Sequence, residues 1–405
     1  MRNALLWRVA ASDRKEVVLR KLLKWTARLV IFGTLAAMLA GVVMRDEIHR
    51  LVAVNTLFEP KNIVRNFSEM DRAFLSAPMP RGDIPVTELP EGPAYDLPPK
   101  VEQWIVERAV TSLLILQNGR IRHESYHLGT EPEDLRIGWS ISKAYVSALI
   151  GILLDEGVIG SLEDQVTQYV PNLEDTAYDG ARLVDVLQMT SGVAFDEDYL
   201  DYDSDINRMG RELALGGSMD GFTTSLTERR ADPGTDWQYV SIDTHVLAMI
   251  IRKATGRNLA DLLSEKVVAR MGLEKEPYFL ADGDGVAFAL GGLNKTTRDF
   301  ARFGLLYEQM GQLDGKQIVP ADWVAASTAA SAPTEPGELG FGYQWWLPKG
   351  ASDGEFFARG IYGQYVYIDR SRDVVIVATG ADRAFREPGV DDTNIGIFRF
   401  IASAL

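Results

Sequence analysis

The sequence predicts an α/β (α+β) body, a mostly antiparallel sheet flanked by terminal helices and carrying a helical subdomain, preceded by an amino-terminal transmembrane helix. Three observations predict it. Strand patterns fall in two blocks, one soon after residue 110 and one beyond residue 340; the stretch between them carries helical spacing; and a long uncharged run stands near the start of the chain. With 405 residues, 46% hydrophobic and 24% charged, the chain has enough apolar material for a sizeable core, so extended disorder is excluded.

Residues 1–28 form a basic leader, with eight Lys or Arg against Asp13 and Glu16. Residues 29–44, from Leu29 to Met44, hold no charge and as a helix span roughly 24 Å, against a hydrocarbon core of about 30 Å. Trp25, Thr26 and Ala27 lengthen the run by a turn if Arg28 snorkels to the headgroups. A cleaved signal peptide and a buried core helix are the alternatives. The long leader and the lack of a small-x-small site after the run favour an anchor. Lys21, Lys24 and Arg28 place the amino terminus inside. The expectation is a single-pass protein of the inner or plasma membrane, with its body on the periplasmic or extracellular side.

Residues 45–100 are Pro-rich, with Ala77-Pro78-Met79-Pro80 and Leu97-Pro98-Pro99, and read as a tether and lead-in. The body is then 101–405. Val101 to Val110 predicts a helix; Thr111 to Leu116 and Ile121 to Tyr126 predict strands joined at Asn118-Gly119, a strong hairpin signal. From about 140 to 330 the pattern is helical, over Leu149 to Leu154, Leu247 to Ala254, Leu259 to Met271 and Asp299 to Met310. Gly342 to Leu347, Glu355 to Arg359, Tyr362 to Ile368 and Val374 to Thr379 return to strand, and Asn394 to Leu405 closes as a helix.

Charge and composition narrow the chemistry. The net charge of −15 becomes −21 once the leader is set aside, which disfavours nucleic acid as a partner. With no cysteine, a thiol nucleophile, a thiolate zinc site and disulfides are impossible. His49, His123, His127 and His245 are too scattered for a zinc hydrolase motif, so no metal and no cofactor are expected.

Gly138-Trp139-Ser140-Ile141-Ser142-Lys143 precedes an apolar run to Leu154, which sets Ser140 in the first turn of a buried helix with Lys143 on the same face. Enclosure lowers a lysine's pKa and lets it act as base toward a serine, and the helix start offers free N–H groups to an oxyanion. S-x-x-K alone is weak, since Ser12-Asp13-Arg14-Lys15 also matches in the solvated leader, and the tetrapeptide by itself favours an ordinary N-cap serine at Ser140. Two further segments change that balance. Pro233 to Ser241 is a turn leading to Tyr239 and Ser241, and Ala358 to Gln364 puts glycines in an inner strand, where Gly360 lets a ligand approach the backbone.

Together these motifs resemble the serine β-lactamase and penicillin-binding-protein superfamily, over about Val101 to Leu405. Leu187 to Val193 with Phe195 to Tyr199, Gly291-Gly292-Leu293 and Gly360 to Gln364 look like its 6-aminohexanoate-dimer hydrolase group, within the class C-related esterases and amidases. The resemblance implies a β-lactamase-like fold and an acyl-enzyme on Ser140. In that scheme Lys143 takes the serine proton, Tyr239 relays one to the leaving group, and the backbone N–H groups of Ser140 and Ile361 form the oxyanion hole. Tyr199, Ser241, Gly360 and Gln364 are the candidate substrate contacts, a structural role for Tyr199 standing beside that one.

The third motif departs from the family's Lys or His: Ala358 supplies no cation, and alternation sends Arg359 to the other face of the strand. Ser241 in place of Asn offers fewer fixed donors. The expected substrate is therefore a small ester or short linear amide rather than a β-lactam. A β-lactamase or D-alanyl-D-alanine carboxypeptidase, and a catalytically idle binding homologue, remain the other readings. Trp345 and Trp346 are adjacent in a strand and read as core, and His245 as a packed side chain.

Overall fold

The computed structural model describes residues 2–405, with side chains from Arg20 onward apart from Ala37, Ala40 and Asp46. It divides into two compact units, one ending at Val52 and the other running Ala53–Leu405. The first is built on a helix over Arg2–Val43. Its Arg20–Val43 stretch, in which an 18-residue window reaches a mean hydropathy of 1.9, is long and apolar enough to cross a membrane. The candidate span thus starts earlier than the uncharged Leu29–Met44 run, taking in Lys21, Lys24 and Arg28. Ser12 and Lys15 fall on this helix, their side chains outside the described residues.

The second unit is organised by a seven-stranded antiparallel sheet. In chain order the strands of the unit are β1 (Leu75–Pro78), β2 (Val110–Gln117), β3 (Arg120–Tyr126), β4 (Arg136–Ile137), β5 (Tyr278–Ala281), β6 (Leu293–Lys295), β7 (Gln312–Leu313), β8 (Lys316–Gln317), β9 (Gly340–Phe341), β10 (Trp346–Leu347), β11 (Glu355–Gly360), β12 (Gln364–Asp369) and β13 (Val374–Gly380). The large sheet has the order β3-β2-β13-β12-β11-β10-β9. Asn118 and Gly119 both have positive φ, the backbone a two-residue hairpin with right-handed strand twist requires. Strands β2 and β13 are buried on both faces, which is why they read as continuous apolar runs.

Helices Pro99–Glu107 and Val390–Ala404 cover one face, burying Trp104, Ile105, Phe398 and Ile401 against Leu113, Ile115, Tyr367 and Ile376. A Trp104 Nε1–Asn394 Oδ1 hydrogen bond of 2.8 Å ties the two terminal helices together. The helix Thr297–Glu308 packs on the other face, with Ser142–Asp155 and Ser241–Thr255 in the same core.

Two expectations need correction. The region read as a helical subdomain, about 140 to 330, also holds β5 and β6, which with β1 and β4 make a second antiparallel sheet in the order β1-β5-β6-β4. The segment read as a tether is built into the body from Ala53 onward. Leu57, Ile63, Phe67, Met70 and Met79 are each at most 2% exposed, and β1 pairs along β5 from Leu75↔Ala281 to Pro78↔Tyr278. Single apolar anchors spaced among prolines and polar residues create no period, so the pattern search passes over them.

Candidate active site

The turn that bears Ser140 starts from the small sheet. Strand β4 pairs with β6, Ile137 opposite Asn294, and the Gly138 N–H bonds to Leu293 O at 2.8 Å. Gly138 has no room for a side chain, since a Cβ would stand 2.7 Å from the Phe300 ring. The chain then makes a 3₁₀ turn over Trp139–Ile141 and enters the helix Ser142–Asp155, buried at every position from Ser142 to Leu153. Ser142 Oγ donates to Trp139 O at 2.7 Å and accepts from Leu293 N–H at 3.0 Å, pinning the junction. Ser140 emerges at the amino end of this buried helix, on the wall of a cleft of about 680 Å³.

Lys143 is one turn further on and 2% exposed. Its Nζ lies 2.8 Å from Ser140 Oγ and donates to Leu290 O at 2.7 Å. Burial of the ammonium pulls its pKa down from 10.5 to about 7, although the nearby Glu197 charge works in the opposite direction. At neutral pH about half of this lysine therefore carries a free lone pair beside the serine hydroxyl.

Tyr239 completes the group. Its ring stacks on Trp346, with centroids 5.2 Å apart, and Lys143 Nζ stands 5.3 Å from the ring centre. Burial and the Glu197 charge push the phenol up, Ser140 and Arg359 pulling against them, so at neutral pH it keeps its proton. The loop that delivers it is held by bonds from Gly234 N–H to Thr190 O (2.7 Å) and from Gln238 N–H to Met189 O (3.2 Å). Gly192, at φ +77°, is essential to that contact, because a Cβ would meet Ala231 O at 2.1 Å. The structure thus brings Ser140, Lys143 and Tyr239 together as the motif spacing predicts.

Glu197 is a member of this group that sequence reasoning missed. It lines the cleft, accepts a hydrogen bond from the Tyr199 hydroxyl at 2.9 Å and another from the Ser241 N–H, and faces Lys143 closely enough to influence its charge. Burial raises its own pKa, and the Lys143 charge and these hydrogen bonds oppose that. No spacing rule connects a carboxylate at 197 with a tyrosine at 239; only the fold joins them.

The predicted substrate contacts separate into two groups. Tyr199 and Gly360 line the cleft. Gly360 is where β11 crosses the turn that bears Ser140: a Cβ would lie 2.3 Å from Gly138 O and 3.1 Å from Ser140 N, so a larger residue would hold the strand away. Ile361 follows directly and also lines the cleft. Gln364, in contrast, is fully buried. Its amide donates to Ile361 O, Tyr362 O and Gly380 O at 2.9–3.2 Å and accepts from Gly380 N–H at 3.1 Å, leaving nothing for a substrate. Ser241 is 1% exposed and does not line the cleft; its hydroxyl lies among Glu197, Tyr199 and Tyr239, and its N–H is given to Glu197.

The third motif also differs from expectation. Ala358 faces the apolar core, and it is Arg359 that lines the cleft, stacked on Trp346 at 4.1 Å and paired with Asp391. Both faces of β11 are buried, so alternation alone does not tell which of them opens to the cleft. The adjacent tryptophans divide the two roles: Trp345 is fully buried against Tyr307 and Phe356, and Trp346 is cleft wall. His245 packs as read, with Nε2 2.8 Å from Asp220. The cleft rim is acidic. Glu335, Glu338, Glu387, Asp391 and Asp392 line it, and its cations Lys349, Arg359 and Arg386 are paired with Glu338, Asp391 and Asp198.

A serine and a buried lysine one helical turn apart, faced by a tyrosine across a cleft between a sheet and a helical cluster, define a serine hydrolase of the amidase and esterase kind. The Beta-lactamase family model matches residues 102–395, and the chain belongs to that family. It is 32% identical over 324 residues to the 6-aminohexanoate-dimer hydrolase of Paenarthrobacter ureafaciens, covering 76% of this chain and 80% of that one. Among solved structures, a candidate 6-aminohexanoate-dimer hydrolase from Bacillus anthracis superposes with TM-score 0.76 at 23% identity, over 85% of this chain and 95% of that one. A D-stereospecific amidohydrolase from Streptomyces superposes with TM-score 0.56 at 19% identity, over 72% of this chain and 96% of that one. These two likenesses are of fold.

Proposed function

We propose that the protein is a membrane-tethered serine hydrolase that cleaves small esters or short linear amides through an acyl-enzyme on Ser140. The observation that carries this is the 2.8 Å approach of a dry lysine amine to the Ser140 hydroxyl. In the reaction, Ser140 Oγ attacks the acyl carbon and its proton passes to neutral Lys143. The carbonyl oxygen becomes an oxyanion facing the N–H groups of Ser140 and Ile361. Collapse breaks the bond to the leaving amine or alcohol, which takes a proton from Tyr239, itself reprotonated from Lys143. Water then attacks the acyl-enzyme by the same route, releasing the acid and restoring Ser140.

The cleft's charge supports a neutral or cationic substrate. Every cation on its rim is already paired, and Ala358 supplies none, which weighs against a β-lactam carboxylate. Arg20–Val43 would anchor the enzyme, and the basic leader would keep the amino terminus inside with the body on the periplasmic or extracellular side. Graded p-nitrophenyl esters, 6-aminohexanoate dimer and nitrocefin, assayed with wild type and Ser140→Ala, test the reading. Turnover of esters or the dimer by wild type alone is expected; equal turnover by both proteins would refute the mechanism.

A further inference from the structure

Two bulky residues with left-handed backbone flank the oxyanion hole proposed above, and the inference rests on that hole. Trp139, whose peptide bond to Ser140 carries the Ser140 N–H, has φ +46°, and Tyr362, directly after Ile361, has φ +62°. This region is unfavourable for L-residues with large side chains and persists only where the surroundings hold it. The indole of Trp139 has no hydrogen-bond partner, so ring packing alone fixes it.

That packing comes from the segment following the amino-terminal apolar helix. Phe58 stacks on Tyr362 with centroids 4.9 Å apart and planes 13° from parallel, and its ring is 6.0 Å from Trp139. Phe67 meets Trp139 edge-on at 5.6 Å and Tyr362 edge-on at 5.4 Å. The same segment is fastened to the strand that delivers the nucleophile. Ile137 N–H donates to Phe67 O at 3.0 Å, and Arg136 donates to Val64 O and Ser68 Oγ at 2.5 and 2.9 Å. Asn66 Nδ2 closes the loop bearing Phe58 through Thr56 O and Leu57 O.

We infer that Phe58 and Phe67 are positioning residues for the oxyanion hole: one aromatic pair clamps Trp139 and Tyr362 together and so fixes the spacing of the two N–H donors. The clamp acts on the transition state, because donor placement matters most where negative charge develops on oxygen.

Phe58 is the residue to test, since it is 37% exposed and its loss leaves the core filled. Full-length Phe58→Ala, Phe58→Leu and Phe58→Tyr are compared on a p-nitrophenyl ester and for inhibition by an alkyl boronic acid, whose adduct on Ser140 Oγ is tetrahedral and anionic. Phe58→Ala and Phe58→Leu are expected to lower kcat roughly 10- to 100-fold with KM within about twofold, and to raise the boronate Ki in parallel. Phe58→Tyr, which keeps the ring, restores both. If Phe58→Ala fails to fold, Phe58→Leu carries the comparison. A kcat within twofold of wild type in the folded variants, or a fall in kcat with unchanged boronate Ki, overturns the inference and leaves the hydrolase reading standing. Inert wild type takes both down.

Discussion

Lowering of the Lys143 pKa makes the pH dependence of the reaction the most direct test of the site. An ordinary lysine of pKa 10.5 is neutral in about 1 molecule in 3000 at pH 7, and one at about 7 is neutral in about half. In the proposed mechanism burial thus makes the neutral amine available more than a thousandfold more often, a large part of the 10²- to 10⁴-fold expected of a positioned base. The rate should rise with pH through an apparent pKa near 7 and level off above it. Glu197→Gln removes the charge that favours the ammonium, so the limb should move to lower pH. Activity at pH 6 relative to the plateau should then exceed that of wild type. Gln keeps an oxygen for the Ser241 N–H, so the loop contact survives. The assay is kcat/KM for an uncharged p-nitrophenyl ester between pH 5 and 9 at constant ionic strength. An acid limb at pH 4–5, or an upward move in Glu197→Gln, would refute the reasoning.

Three other perturbations follow from the same geometry. Gly360→Ala drives a methyl into Gly138 O and Trp139 Cβ, both backbone-anchored, and should cut kcat/KM by at least about 100-fold with a lowered melting temperature. Asp243 is buried with its pKa pushed up to about 8; its Oδ1 accepts from Tyr178 and Ser191, and its Oδ2 has no partner. A carboxyl raised in the folded state binds protons that the unfolded chain has released, so stability falls as pH rises from about 4 to 8. Asp243→Asn should remove that decline, seen as a higher melting temperature than wild type at pH 8 and little difference at pH 4. Finally, the acidic rim should favour an ω-ammonium acyl ester over its ω-carboxylate counterpart by roughly 10-fold in kcat/KM at low salt, the ratio shrinking as salt is added.

What could be read in the sequence was local. The β2–β3 hairpin announced itself through Asn118-Gly119, and the buried helix after Ser140 through an unbroken apolar run; both signals lie within about twenty residues. Tyr239 was recovered because its turn is a motif with a fixed lead-in. The second sheet escaped because its strands are two to four residues long, too short to show a period. Glu197 and Phe58 escaped for a different reason: each acts through partners more than forty residues away, and neither residue type is unusual where it stands. Gln364 was placed in the cleft by motif adjacency, but its amide is consumed by the turn it belongs to and by Gly380, sixteen residues on.

The third motif shows how substrate range and proton chemistry separate in this protein. A cation at position 358 would face the core here, so the position is apolar, and the cleft cation is Arg359 instead. Its charge is matched by Asp391, whose other oxygen accepts from the Tyr365 hydroxyl, which in turn is held by Asn394. Arg359 reaches the electrostatics of Tyr239, and the lowered pKa of Lys143 comes from burial, with no cation contributing. The proton affinity of Lys143 is therefore set independently of Arg359, whereas that of Tyr239 is not. Substitution at Arg359 or Asp391 should change which acyl groups bind while the acid limb near pH 7 stays where it is. A limb that shifted with Asp391→Asn would mean that the rim charge, and not enclosure, sets the lysine's proton affinity.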